Sequence, residues 1–364
     1  MTSLRWRDPE ADAAPQRRSF RPVDTIRLHA NEQPWPPPAP VLAAISSWAG
    51  LAHRYPFGYE GSLLEALTNR LQLPTGQVLL GAGSNELLCK AIMALGGTHT
   101  ETIYPDPSYP TFAAAPAMTS SRGVPVPLLP DGSCDTKAML AAVTRHTTCV
   151  IVSNPNNPTG GAVGQEALTE LASDLSDEIL LIVDEAYFEY TDEFAEGGRG
   201  ALKLFELGRP LIVTRTFSKF FGLAGVRLGY AVTSDAELCR ELRGHVGPLS
   251  VSGLALAAGQ AALFAEDEYL ERLIKQKEQR SRLWSALDEM GLCPLPTQTN
   301  FVYCGEPHPS VADWLAERHL SIRAGSTIGS PGHMRITVGR PEDNELVVSL
   351  LRQWLADFGR NWIR

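Results

Sequence analysis

Residues 211–232 read Leu211-Ile-Val-Thr-Arg-Thr216-Phe-Ser218-Lys219-Phe-Phe-Gly222-Leu-Ala-Gly225-Val-Arg227-Leu-Gly229-Tyr-Ala-Val232. The apolar, β-branched runs Leu211–Thr214 and Leu228–Val232 predict two strands. The polar stretch between them carries a lysine flanked by two hydroxyls, followed by an arginine and three glycines. A solvated surface lysine is the ordinary reading of any single lysine, and the apolar approach argues against it here. Hydroxyls and a guanidinium suit a phosphate, and the glycines let the backbone turn and approach closely. The lysine amine suits an aldehyde.

Upstream, short apolar runs recur at Val78–Leu80, Thr102–Tyr104, Thr148–Val152 and Ile179–Val183. Helical patterns alternate with them near Asn85–Leu95, Thr136–Val143 and Gln165–Ser173, after two earlier ones at Pro40–Ala49 and Ser62–Leu71. This alternation predicts an α/β fold whose mostly parallel sheet is covered on both faces. Ligands on such sheets gather at the carboxyl ends of the strands. The chemically loaded loops follow those ends: Gly81-Ala-Gly-Ser84-Asn85, Asn154-Pro-Asn-Asn157, Asp184, and Thr216 to Lys219.

A second region runs from about residue 250. Leu270, Leu273, Ile274, Leu283, Trp284 and Leu287 fit one face of a long helix, with the stripe broken around Lys277 and Arg280, where the helix is expected to bend or leave the core. Strands near Asn300–Tyr303 and Met334–Val338 and a helix at 344–358 complete a smaller α+β unit. The expected organisation is a proline-rich arm over 1–40, a large domain over 41–248 and a small domain over 249–364.

The loops have complementary chemistry. Asp184 ends a buried run, where a carboxylate needs a partner; it either caps the segment Glu185-Ala-Tyr187 or pairs with a protonated ring nitrogen. Tyr187 and Asn157 are placed to reach a phenolic oxygen. Ser84 and Asn85 open a helix after a strand, with free N–H groups suited to phosphate. Tyr109 is either a packed core aromatic or a ring stacked on a cofactor. Arg335, inside an apolar strand, is either in a structural ion pair or an anchor for a substrate carboxylate. Arg323 is a candidate second anion site. An aldehyde on a lysine, a phosphate cradle and a buried acid together point to pyridoxal 5′-phosphate, which rests on its lysine as a Schiff base.

Leu28-His-Ala-Asn-Glu-Gln-Pro34, Arg54-Tyr-Pro56, Gly81-Ala-Gly-Ser-Asn-Glu-Leu87, Pro107-Ser-Tyr-Pro110, Asn154-Pro-Asn-Asn-Pro-Thr-Gly160, Asp184-Glu-Ala-Tyr187, the Lys219 motif, Thr299-Asn-Phe301 and Arg335-Ile-Thr-Val-Gly339 occur in one order. In these stretches the chain resembles the pyridoxal-phosphate-dependent aminotransferases of fold type I, class I/II, closest to the histidinol-phosphate aminotransferase branch. The resemblance implies a seven-stranded, mostly parallel sheet between helices plus the smaller domain. It implies that Lys219 carries the cofactor and moves the substrate proton, that Asp184 meets the pyridine nitrogen, and that Asn157 and Tyr187 meet the phenolic oxygen. Tyr109 would stack on the ring; Ser84, Asn85, Thr216, Ser218 and Arg227 would hold the phosphate. Arg335 would take the substrate carboxylate. Tyr55 would reach the neighbouring subunit's site in a homodimer. The implied reaction moves an amino group between a donor such as glutamate and a 2-oxo acid or phosphorylated ketone, within amino-acid biosynthesis and, in that branch, histidine biosynthesis. Two positions depart from the branch pattern: no tyrosine precedes Tyr55, where Trp6 and Phe20 stand instead, and His29 replaces the usual asparagine. A threonine-phosphate-type decarboxylase and a specialised aromatic or unusual amino-acid aminotransferase share this framework. A non-enzymatic sensor or regulatory module is disfavoured: such proteins usually carry an extra DNA-binding domain, for which the first 40 residues are too short and too proline-rich, and the full catalytic set is present.

The bulk properties agree. The net charge is −9 and no basic block occurs, which argues against nucleic acid. No run approaches a membrane span or a secretory h-region, so a cytoplasmic protein is expected. The six cysteines are scattered without a C-x-x-C pair, which argues against a metal site or redox dithiol.

Overall fold

The computed structural model describes residues 25–359; Trp6, Phe20 and most of the expected arm lie outside them. The described chain forms β1 (Ile26–Leu28), β2 (Val78–Gly81), β3 (Glu101–Asp106), β4 (Arg122–Pro127), β5 (Thr147–Ser153), β6 (Leu180–Asp184), β7 (Leu211–Thr216), β8 (Gly229–Thr233), β9 (Phe301–Gly305), β10 (Leu320–Ala324) and β11 (His333–Thr337). A seven-stranded sheet runs β2-β8-β7-β6-β5-β3-β4, and a four-stranded sheet runs β1-β10-β11-β9. In the large sheet β8 alone runs against the direction of the other six strands. Each of the six strands expected there overlaps an observed one.

The central strands are buried on both faces. Val150, Val152, Leu181, Val183, Leu211 and Val213 point into one apolar cluster, and Cys149, Ile151, Leu180, Ile182 and Ile212 into another. Alternation sends successive residues to opposite sides, so these strands read as continuous apolar runs. The small sheet and the helix Pro341–Phe358 share a third cluster around Ile336, Val347 and Leu351.

Two expectations need correction. Strand β4 went unread because its sequence, Arg-Gly-Val-Pro-Val-Pro, carries two prolines; it lies at the sheet edge, paired only with β3, where proline is tolerated. The helix Glu266–Glu289 is continuous and does not leave the core at the break in its stripe. Gln276 and Gln279 are buried there. Lys277 donates to the carbonyl of Thr191 at 3.1 Å, and Arg280 to that of Thr299 at 3.0 Å. The polar residues therefore fasten the helix to its neighbours. Ile274, expected on the packed face, is instead exposed.

Beside β6 and β7 sits a buried ion pair. Glu185 Oε2 accepts from Arg215 Nε at 2.9 Å and Nη2 at 2.7 Å, while Oε1 accepts from the Ala201 amide at 2.7 Å. The guanidinium lies 4.0 Å over the Phe188 ring. Breaking such a pair leaves an uncompensated buried charge. Arg215→Met is expected to lower the unfolding free energy by about 3–5 kcal/mol. The double variant Glu185→Leu/Arg215→Met should recover most of that loss in urea unfolding.

Candidate active site

Five strand ends and one strand start meet at one edge of the large sheet. A cavity of about 270 Å³ opens there, walled by Ser84, Asn85, Tyr109, Asn157, Asp184, Tyr187, Thr216, Ser218, Lys219 and Arg227, with Ala30 and Glu32. Sequence reasoning had selected all of these but the last two. Arg335 and Arg323 stand beyond that wall, on β11 and β10. Tyr55 is elsewhere: it is 73% exposed and packs against Phe57, with ring centroids 5.7 Å apart.

Asp184 closes β6 in register with Thr214 of β7. Its Oδ1 accepts from Thr214 Oγ1 at 2.8 Å. Burial pushes the carboxyl up to about 6; Thr214 and the Ala186 amide oppose the rise and neighbouring Glu185 adds to it. The aspartate thus takes the cap-like Ala186 contact, yet no cation pairs with it among the described residues.

Lys219 Nζ donates to the Ala30 carbonyl at 3.1 Å and lies 5.8 Å from the Tyr187 ring centroid. Burial lowers its amine to about 8; Arg335 and Arg227 push the same way and Glu32 opposes them. The shift raises the share of neutral, nucleophilic amine near neutral pH. The Tyr187 hydroxyl accepts from Asn31 Nδ2 at 2.8 Å, and burial pushes it up to about 12. Tyr109 is half-buried, edge-on to Phe112, and faces the cavity.

The phosphate-type donors converge. The helix Ser84–Ala94 starts at the cavity, and Glu86 reaches back to accept from the Ala82 amide at 2.7 Å. Thr216 Oγ1 bonds Ser218 Oγ at 3.0 Å. Arg227, at φ +60°, donates to the Ala224 carbonyl at 3.1 Å. Two glycines make the approach possible: a Cβ on Gly229 would lie 2.2 Å from the Ser84 amide nitrogen, and one on Gly83 would lie 2.5 Å from Arg227 Nη2.

Arg335 is buried without a carboxylate partner among the described residues, so the ion-pair alternative is not realised. Its Nη1 donates to Asn157 Oδ1 and its Nη2 to the His29 carbonyl at 2.8 Å, while Nε has no partner. Burial lowers this guanidinium to about 10, with Tyr187 opposing and Arg323 reinforcing the shift. Arg323 Nε donates to the same His29 carbonyl at 3.3 Å.

Sequence reasoning missed Thr214, Asn31 and the carbonyls of residues 29 and 30. Asn31 lay inside a quoted motif, and its amide–hydroxyl bond to Tyr187 depends on long-range folding. Thr214 looked like one more strand residue.

A family profile described as aminotransferase class I and II matches residues 24–351. The chain belongs to this family. It is 32% identical over 346 residues to a histidinol-phosphate aminotransferase of Geobacillus sp. (strain WCH70), covering 94% of this chain and 93% of the relative. It is 34% identical to an aromatic amino acid aminotransferase of Nocardia farcinica, covering 88% and 89%. The crystal structure of histidinol-phosphate aminotransferase from Sinorhizobium meliloti in complex with pyridoxal-5′-phosphate superposes with a TM-score of 0.84 at 28% identity, covering 92% of each chain. The fold is therefore type I, and the protein is a pyridoxal-phosphate-dependent transaminase similar to the histidinol-phosphate branch.

The cavity fits that cofactor on its own terms. It offers a buried carboxylate that meets no cation among the described residues, a partly desolvated amine, and a glycine-cleared cluster of phosphate donors. Among the described residues, no cluster of His, Cys, Asp and Glu could hold a metal, and no helix is long and apolar enough to cross a membrane.

The buried acid has a measurable cost in the cofactor-free protein. Its proton is held more tightly folded, near 6, than unfolded, near 3.8. Stability contributed by this group therefore falls as pH rises between those values, and the loss is complete above about 6. Asp184→Asn should stabilise the cofactor-free protein by about 2–3 kcal/mol at pH 7.5. In urea unfolding that gain should fade toward zero as the pH approaches 4.

Proposed function

We propose that this chain transfers the amino group of an acidic donor such as glutamate to a phosphorylated ketone or 2-oxo acid, with histidinol phosphate and its keto partner as the pair to test first. Arg335 carries the reading: it is buried and, among the described residues, has no carboxylate of its own and keeps an unsatisfied Nε. Such a group suits an incoming anion.

The residue roles follow from the chemistry of the cavity. Lys219 would hold the cofactor's aldehyde carbon and would move a proton at the substrate carbon. Asp184 holds the proton on the ring nitrogen by charge. Asn157 and Tyr187 donate to the phenolic oxygen, and Tyr109 covers the ring face. Ser84, Asn85, Thr216, Ser218 and Arg227 bind the phosphate. When bound, pyridoxal phosphate supplies an electron-withdrawing ring for the charge that develops at the substrate carbon. Arg335 orients the substrate carboxylate, and Arg323 supports a second anionic group. Donor product leaves before acceptor enters, so ping-pong kinetics follow.

Exposed Tyr55, Phe57 and Tyr59 mark the surface we assign to a second copy, with Tyr55 contributed to the neighbouring subunit's site. The division into an arm over 1–40, a large domain over 41–248 and a small domain over 249–364 belongs to this proposal, as do a cytoplasmic setting and a place in histidine biosynthesis. The second reading, an aromatic amino-acid aminotransferase, is favoured by the 34% identity to the Nocardia farcinica enzyme. A decarboxylase would instead release carbon dioxide.

The deciding experiment mixes the cofactor-loaded protein with glutamate, histidinol phosphate and phenylalanine in turn and follows the visible absorbance of the lysine-bound cofactor. Rapid bleaching by histidinol phosphate and glutamate is expected; bleaching by phenylalanine with no response to histidinol phosphate would favour the second reading. Lys219→Ala should lose that absorbance and at least ~10²–10⁴-fold in turnover. A variant with wild-type turnover would end the mechanism.

A further inference from the structure

Three consecutive residues after β1 each supply one group to the site. The His29 carbonyl accepts from Arg335 Nη2 at 2.8 Å and Arg323 Nε at 3.3 Å. The Ala30 carbonyl accepts from Lys219, and the Asn31 amide group donates to Tyr187. Arg323 and Arg335 are direct partners across β10 and β11, so their side chains leave the same face of the small sheet. Two like charges converge there, and the His29 carbonyl dipole lies between them.

The sheet does not fix that carbonyl. Strand β1 ends at Leu28, and the next main-chain fastening is the Asn31 amide on Thr337 Oγ1 at 2.9 Å. Between them, among the described residues, the one hydrogen bond made by the segment's own side chains is His29 Nδ1 to Ser321 Oγ at 2.8 Å. Ser321 sits on β10 two residues before Arg323, on the same side of the strand. Burial, then Arg323 and Arg27, lower the His29 proton affinity, so the ring serves as a neutral hydrogen-bonding group beside the arginines.

We propose that His29, clipped to Ser321, is a specificity-determining positioning residue that sets the spacing of Arg323 and Arg335 for the anionic group of the substrate, a carboxylate or a phosphate ester. The inference rests on the reading of Arg335 as the substrate anchor. A pin that merely joined β1 to β10 would affect stability and leave anion affinity alone.

The test compares cofactor-loaded wild type with His29→Ala, Ser321→Ala and the double variant. Loss of one hydrogen bond should raise KM for glutamate about fivefold to tenfold in each single variant. The double variant should lose no more than either single one, because the two side chains act as a unit. kcat and the visible spectrum should stay near wild type. Inorganic phosphate, titrated calorimetrically into the same loaded proteins, should bind more weakly by a similar factor. Unchanged phosphate affinity in both single variants, or losses that add in the double variant, would overturn the proposal. Because phosphate binding needs no turnover, a wild type inert toward glutamate would count against the proposed reaction while the clip remained testable.

Discussion

Everything in this site depends on an unpaired carboxylate brought to the end of a buried strand. Asp184 is reached by a run of apolar residues, and the described residues offer it a hydroxyl and an amide but no cation. The folded protein holds a charge that favours company. The neighbouring residue faces the other way and is treated oppositely: Glu185 is saturated by Arg215 and the Ala201 amide. One carboxylate of the two is fully partnered, while the other, among the described residues, meets no cation. The alternation of a β-strand is enough to separate these duties.

The large sheet and most of the residues that line the cavity were legible because their signals are local. Apolar runs, glycines and the Lys219 motif declare themselves within a few residues, and strand ends on a parallel sheet bring them together. What stayed hidden was non-local or contrary to local preference. Strand β4 hid behind prolines that only an edge position tolerates. The polar break in the long helix looked like a departure from the core because the partners of Lys277 and Arg280 lie far away in sequence. Asn31 and the His29 carbonyl matter through bonds to residues more than 150 positions distant; no periodicity encodes them.

The short segment after β1 joins the two sheets chemically. It belongs by pairing to the small sheet, through β1 and β10, yet its next residues touch Lys219 and Tyr187 of the large one. Asn300 adds a further tie by donating to the Asn31 carbonyl at 3.0 Å. Lys219 and Tyr187 on one side and Arg323 and Arg335 on the other are thus held to a common backbone stretch, which limits how far either pair can drift from the other.

The prolines of β4 have a consequence beyond concealment. Pro125 and Pro127 lie two apart on the outermost strand, so both backbone nitrogens point the same way, and neither carries a hydrogen. An open edge of a large sheet is a template on which a strand from another molecule can grow. Here that template lacks two of its donors. The residues that interrupt the strand pattern thereby make this edge a poorer template for a strand from another molecule.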